Sequence, residues 1–322
     1  MTDGSPGGGL RSVSTGGPLV RYVLGPLHPS IDAFDFVTCI RQNSKKILGF
    51  PESLIPTFTV PMHLPFGNIG LLLVAGFLAG IMNAVAGGGT FLTFPAMVFI
   101  GIPSVAANQT STIGVFPGQV ASFWAYRNIL AAERRIVLVL GLASLFGGSL
   151  GALVLIQTAN SAFDRLVPWL LLFATILFAF GNDIRKQLGW RLSKTKGGGQ
   201  LGWSPLSKAA AVQFVIGLYG GFFGAGAGIL ELAVLDMLGF DNIHLSNALK
   251  VILTTAFNTL ALIVFIVLGN IFWPQALITA LATISGGYSG AWVAQRLPQS
   301  WVRRFVLFVG ITMTVYLFVR AG

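Results

Sequence analysis

Residues 67–89 read GNIGLLLVAGFLAGIMNAVAGGG, an apolar run with no Asp, Glu, Lys or Arg that ends in three consecutive glycines. Its 67–86 portion matches the roughly 20 apolar residues that a helix needs to cross a hydrocarbon core about 30 Å thick. From Gly67 onward the chain holds ten such apolar segments, near 67–86, 89–102, 104–126, 136–156, 163–181, 208–227, 229–239, 243–268, 272–294 and 302–320. Two of them, 89–102 and 229–239, are too short for an untilted crossing. Each follows a glycine cluster, Gly87-Gly-Gly89 or Gly224-Ala-Gly-Ala-Gly228. The pattern predicts an all-α, polytopic membrane protein with one short or re-entrant helix in each half.

Composition agrees with that pattern. Only 9% of the 322 residues are charged against 54% hydrophobic, whereas a soluble globular chain carries about 25% charged residues to coat its surface. The net charge of +10 does not point to nucleic acid, because the basic residues gather between spans. Arg127, Arg134 and Arg135 form one group. Arg185, Lys186, Arg191, Lys194, Lys196 and Lys208 form a second, and Arg296, Arg303 and Arg304 a third. Basic loops beside spans are held in the cytoplasm, so these groups are topology signals. The single cysteine, Cys39, excludes an intrachain disulfide framework, and His28, His63 and His244 lack metal-ligand spacing. No cofactor is expected.

Residues 1–66 differ from the rest. They open on a Gly-, Ser- and Pro-rich stretch, and short apolar pieces are then cut by Pro26, Pro29, Pro51, Pro56, Pro61 and Pro65. They read as a loosely ordered extension without a cleavable signal peptide. Met62 stands just before the first span, which makes it a candidate for an alternative start.

The remainder is duplicated. A constant shift of 139 residues, without a gap, aligns Gly87 with Gly226, Gly89 with Gly228 and Asn108 with Asn247. It also aligns Gly147, Gly148, Gly151 and Ala152 with Gly286, Gly287, Gly290 and Ala291, Ser161 with Ser300, and Arg165 with Arg304. One offset held across so many positions marks an internal repeat. The organisation expected is repeat one over 67–182, a basic cytoplasmic loop over 183–207 and repeat two over 208–322. Placing the three basic groups inside makes repeat one begin outside and repeat two begin inside, so the halves are inverted. Arg41, Lys45 and Lys46 run against this assignment and are outweighed by the other three groups.

Polar groups inside spans are costly in hydrocarbon and point to function or to helix bridging. Near the first glycine cluster stand Asn83 and Thr90, followed by Asn108-Gln-Thr-Ser-Thr112 and Gln119. Near the second stand Glu231 and Asp236, followed by Ser246, Asn247, Lys250, Thr254, Thr255 and Asn258. Residues 247, 250, 254 and 258 recur at helical spacing and form one polar stripe. Glycines let the chain turn and leave the N–H groups of the next short helix available, and a helix N-terminus attracts anions. The expected anion site therefore comprises Asn83, Gly87, Gly88, Gly89, Thr90, Asn108, Ser111, Thr112, Gly226, Gly228, Asn247 and Lys250. Glu231 and Asp236 are candidates for ion coupling. The bland alternatives are that the glycines serve packing, that Asn and Ser bridge helices, and that Lys250 pairs with an acid or snorkels to the interface.

The clusters Ala84-Val-Ala-Gly-Gly-Gly89 and Gly220-Gly-Phe-Phe-Gly-Ala-Gly-Ala-Gly228, with Ala107-Asn-Gln-Thr-Ser111 and Ser246-Asn-Ala-Leu-Lys250, resemble the signatures of the sulfite exporter TauE/SafE family. The resemblance covers about 67–320. It implies a multi-pass permease of the bacterial inner membrane that moves sulfite, sulfoacetate or another sulfur-containing or organic anion. Ala227 in place of a middle glycine, the lack of a second-half counterpart to Pro95, and the acids Glu231 and Asp236 depart from the pattern. They leave other anions and a coupling proton or sodium open. The expected partners are the small anion and the lipid bilayer. A passive anion channel is the alternative. An intramembrane enzyme would need a paired acid and base, a nucleophile or a metal, and Glu231 and Asp236 are spaced onto different helix faces.

Overall fold

The computed structural model describes residues 66–85, 88–130, 134–187, 203–238, 240, 243–294 and 299–321. The 1–65 part of the extension, with Met62, lies outside the described residues, as do Gly87 and the 188–202 part of the basic loop. The described residues form ten α-helices and no strand. They are α1 (Phe66–Val85), α2 (Thr90–Phe99), α3 (Ser104–Leu130), α4 (Arg134–Gln157), α5 (Asn160–Gln187), α6 (Trp203–Phe222), α7 (Ala227–Met237), α8 (Ile243–Leu268), α9 (Trp273–Ala294) and α10 (Gln299–Ala321).

Each expected apolar segment became one helix. The 10 residues of α2 and 11 of α7 span only about 15–17 Å at 1.5 Å per residue, half of a hydrocarbon core. Their ends are set by local chemistry. Gly88 precedes α2 at a φ of 101°, which a residue with a Cβ rarely adopts. At the other end Gly101 N–H donates to Val98 O (3.0 Å) and Ile102 N–H to Met97 O (3.1 Å). That is a Schellman cap, and Pro103 then bars further helix.

Three helices are long and apolar enough to cross a membrane outright, over Phe66–Asn83, Arg134–Gln157 and Leu245–Leu268. Helix α4 shows how its sequence sorts lipid from protein. Leu138, Leu142, Phe146, Leu150 and Val154 recur every fourth residue and are all exposed, whereas Leu140, Ser144, Gly147, Gly148, Gly151 and Leu155 are buried. A continuous exposed apolar stripe of this length is intolerable in water and natural in lipid. At the start of α4 the Arg135 guanidinium lies 4.2 Å from the ring centroid of Trp203, the first residue of α6. A stacked Arg–Trp pair of that kind suits the membrane–water boundary.

The buried face of α4 packs along α6 and α8, while α1 packs along α9 and α9 along α3. Backbones touch where glycines remove side chains. A Cβ on Gly148 would overlap the Phe257 carbonyl oxygen, and one on Gly221 would overlap the Gly148 carbonyl oxygen. Small-residue contacts of this kind hold membrane helices together when no hydrophobic gradient favours association.

Candidate functional site

The two glycine-containing breaks, between α1 and α2 and between α6 and α7, lie against one another. A Cβ built on Gly88 would sit 3.3 Å from the backbone nitrogen of Gly226. Gly226 has a φ of 76° and Gly224 one of 79°. A Cβ on Gly224 would come within 3.9 Å of Thr90 Oγ1, at the start of α2. Residues that stand 138 apart in sequence thus share one junction, built from the starts of both short helices.

The junction is anchored from several sides. Tyr219 on α6 donates its hydroxyl to Ala225 O at 2.7 Å and so ties down the second turn. Behind it, Phe94 of α2, Phe163 of α5 and Phe222 and Phe223 at the end of α6 meet edge to face, with centroids 5.5–6.3 Å apart. Edge-to-face contacts add to apolar burial and fix ring orientation, so the junction rests on a rigid aromatic bed.

Around the junction, Asn83 Oδ1 accepts from the Gly89 N–H at 2.6 Å. This differs from the expectation of a free helix start, because the Asn83 side chain already caps one of its donors. The same bond orients the amide: with Oδ1 facing an N–H, Nδ2 must point elsewhere, and it is buried without a protein partner. Asn108 on α3 behaves in the opposite sense. Its Nδ2 donates to the Phe222 carbonyl of α6 at 2.9 Å, bridging the two halves, and its Oδ1 is buried without a partner. The junction therefore presents one orphan donor and one orphan acceptor, and each buried orphan costs about 1–3 kcal/mol. Together they offer a small polar ligand one donor and one acceptor.

Ser111 and Thr112 are buried on the same helix as Asn108. Ser111 Oγ shares a 2.5 Å hydrogen bond with Thr93 Oγ1 of α2, and Thr112 Oγ1 donates to Asn108 O at 2.9 Å. The Ser111–Thr93 bond ties α3 to α2, and the Thr112 bond stays within α3.

A second polar cluster fills the α4–α6–α7–α8 core. Glu231, in the second turn of α7, is fully buried. Gln213 Nε2 donates to Glu231 Oε1 at 3.2 Å and to Ser144 Oγ at 2.8 Å, while Thr254 Oγ1 donates to Glu231 Oε2 at 2.5 Å. Lys250 is 1% exposed, so it does not snorkel. Its Nζ donates to Asn247 Oδ1 at 3.4 Å, and the carboxylate of Glu231 lies within electrostatic reach. The stripe of 247, 250, 254 and 258 splits between partners, for Asn258 Nδ2 donates to Gln119 Oε1 of α3 at 2.9 Å. Gly228 lies in the first turn of α7. Asp236 is on α7, and its side chain falls outside the described residues, as does Gly87.

Of the expected anion-site residues, Asn83, Gly88, Gly89, Thr90, Asn108 and Gly226 converge on the junction, whereas Asn247 and Lys250 belong to the second cluster with Glu231. The sequence reading missed Gln213 and Ser144. A lone amide or hydroxyl inside an apolar run was the available signal.

The family described as Sulfite exporter TauE/SafE matches residues 72–317. A "Probable membrane transporter protein" of Haemophilus influenzae is 27% identical over 258 residues, covering 79% of this chain and 95% of that protein. "Probable membrane transporter protein ORF9" of Sinorhizobium sp is 26% identical over 259 residues, covering 79% of this chain and 94% of its own. In Escherichia coli K12, "Probable membrane transporter protein YfcA" is 25% identical over 261 residues, covering 77% and 89%. No solved structure matches.

Proposed function

We propose that this chain, which belongs to the sulfite exporter TauE/SafE family, is a secondary transporter that exports a small anion across the bacterial inner membrane. The anion class is sulfite, sulfoacetate or a related sulfur-containing or organic anion, and transport is coupled to a proton or sodium. The observation that carries this reading is the contact between the two glycine turns, Gly88 on Gly226, flanked by the buried orphan amide of Asn83. Two helix N-termini that converge in a low-dielectric interior offer partial positive charge to an anion. The Asn83 Nδ2 supplies a neutral donor beside them. Lys250, bonded to Asn247, contributes a full charge from the adjoining cluster, and Ser111 braces α3, which carries Asn108 and Thr112, against α2.

The chain is organised as inverted repeats, 67–182 and 208–322, around a cytoplasmic loop at 183–207. Packing supports this. Under the 139-residue shift α1 becomes α6 and α4 becomes α9, and the close pairs α1–α9 and α4–α6 are each other's counterparts. Gln119 and Asn258, themselves 139 apart, bond directly to one another, as counterparts on a two-fold axis must. Broken helices meeting at such an axis are the usual place for a transporter's substrate. In the structure the turns are in contact, so the anion enters as they part, first toward one face and then toward the other.

The test is sulfite exchange by the full chain in proteoliposomes. A carrier gives saturable flux and accelerated counterflow when unlabelled sulfite is trapped inside. Flux that rises linearly with concentration and shows no counterflow overturns the carrier reading in favour of a channel.

A further inference from the structure

We infer that Glu231 is a proton-exchange site, and that the ion coupled to anion movement is a proton rather than sodium. The inference rests on the transporter reading and deepens it. Three observations carry it. First, Glu231 is fully buried in an apolar core that includes Leu140, Ile216, Val234, Leu235, Leu249 and Leu253, yet its oxygens bond to Gln213 and Thr254 rather than to a described lysine or arginine. Second, those neighbours and Ser144 are amides and hydroxyls, groups that donate or accept as required. An ionised carboxylate accepts from Gln213 Nε2 and Thr254 Oγ1. A protonated one donates its O–H to Thr254 Oγ1, or to a rotated Gln213 whose oxygen then faces it. Third, Gln213 Oε1 is a buried acceptor without a partner, so the amide holds in reserve the acceptor that the protonated state needs. A sodium site would demand several oxygens turned toward one point, whereas Gln213 presents its amide nitrogen to the carboxylate.

The remaining titratable neighbours are few among the described side chains. Lys250 of α8 faces the carboxylate electrostatically, and Tyr219 of α6 is engaged with Ala225. On the other packed elements, Arg134 and Arg135 of α4, Asp164 and Arg165 of α5 and Lys208 of α6 are exposed near helix starts. The 139-residue counterparts of Gln213, Glu231 and Thr254 are Val74, Leu92 and Val115, so the proton site exists in one half alone. Glu231 lies one turn beyond the Gly226 turn that touches Gly88. Gaining a proton removes the charge that Lys250 faces, about one helical turn from the junction. The proton arrives from water on one side, forms the O–H bond of Glu231, and leaves to water on the other as that bond breaks.

The experiment uses the full chain, with sulfite as probe. In proteoliposomes, an imposed pH gradient is expected to raise wild-type sulfite accumulation at least tenfold and an equal sodium gradient to leave it unchanged. Glu231→Gln is expected to reduce the response to the pH gradient to about onefold. A sodium-driven, pH-indifferent flux, or a Glu231→Gln protein that still responds tenfold to the pH gradient, overturns the inference. An infrared pH titration in detergent separates this from failure of the sulfite reading, since it needs no flux. A protonated-carboxyl band that remains in the wild-type minus Glu231→Gln difference on acidification, beyond that of the other nine Asp and Glu carboxyls, supports the proton site even if sulfite is not moved. An identical band in both proteins refutes it. Should Glu231→Gln fail to fold, Thr254→Val replaces it: a shifted titration of that band is expected, and an unshifted one counts against the site.

Discussion

Replacing Gly226 by alanine isolates the backbone requirement of the junction from its packing. The residue has a φ of 76°, and a Cβ placed there would meet Ala174 Cβ at 3.4 Å and Ala174 Cα at 3.5 Å, ordinary van der Waals contact. The added methyl is therefore not crowded, and the cost is conformational. An L-residue in the left-handed region loses about 1–2 kcal/mol, equivalent to about 5–30-fold in the folded-to-unfolded ratio. A sign-opposite control lies in α4, where a Cβ on Gly141 would find nothing within 4 Å. Gly141→Ala exchanges a poor helix former for the best one and is expected to gain about 0.5–1 kcal/mol. Reversible unfolding by anionic detergent in mixed micelles reads both. Gly226→Ala should unfold earlier than wild type and Gly141→Ala later, and sulfite exchange should fall in the first alone. A Gly226→Ala protein as stable as wild type would refute the claim that the second short helix starts from a left-handed turn.

Three further outcomes follow from named contacts. Asn108→Leu leaves the Phe222 carbonyl unpaired, a cost of about 1–3 kcal/mol, but also removes the orphan Oδ1, which offsets a similar amount; unfolding in the same assay is expected to shift little while sulfite exchange falls. Lys250→Ala should abolish sulfite-dependent uptake in vesicles at unchanged protein abundance, and Lys250→Arg should retain part of it, because charge survives while geometry changes; unaltered uptake by Lys250→Ala would make the lysine structural. Gly148→Ala forces a methyl onto the Phe257 carbonyl and should cost about 1–3 kcal/mol or more as α4 and α8 separate, measured by the yield of folded protein in detergent.

Much of this architecture is legible in the chain. Hydrophobic run length marks the helices because lipid imposes a length, and the clusters at Gly87–Gly89 and Gly224–Gly228 mark the breaks because positive φ selects glycine. The motifs at Gly147 and Gly286 read as packing glycines, and Gly147, Gly148 and Gly286 each lie against a neighbouring helix backbone. What could not be read is partnership. That Asn83 turns back to cap Gly89, six residues on, depends on how sharply the chain bends at Gly88. The Ser144–Gln213–Glu231–Thr254 chain joins four helices, and each member alone looks like a stray polar group. Lys250 bonds Asn247 within α8 rather than a junction residue, and the same α8 stripe faces α7 at residue 254 and α3 at residue 258.

Anion transport at the junction requires two halves facing opposite ways across the bilayer, and the matched arginines Arg165 and Arg304 report on this directly. Both side chains are exposed, near the starts of α5 and α10. In a background with Cys39→Ser, Arg165→Cys and Arg304→Cys can be challenged in intact cells with a membrane-impermeant maleimide. Labelling of Arg165→Cys from outside, and of Arg304→Cys only after the membrane is opened, is the predicted result. Equal accessibility of both positions from the same side would contradict opposed halves, and with them the shared junction of two helix N-termini on which anion transport is argued.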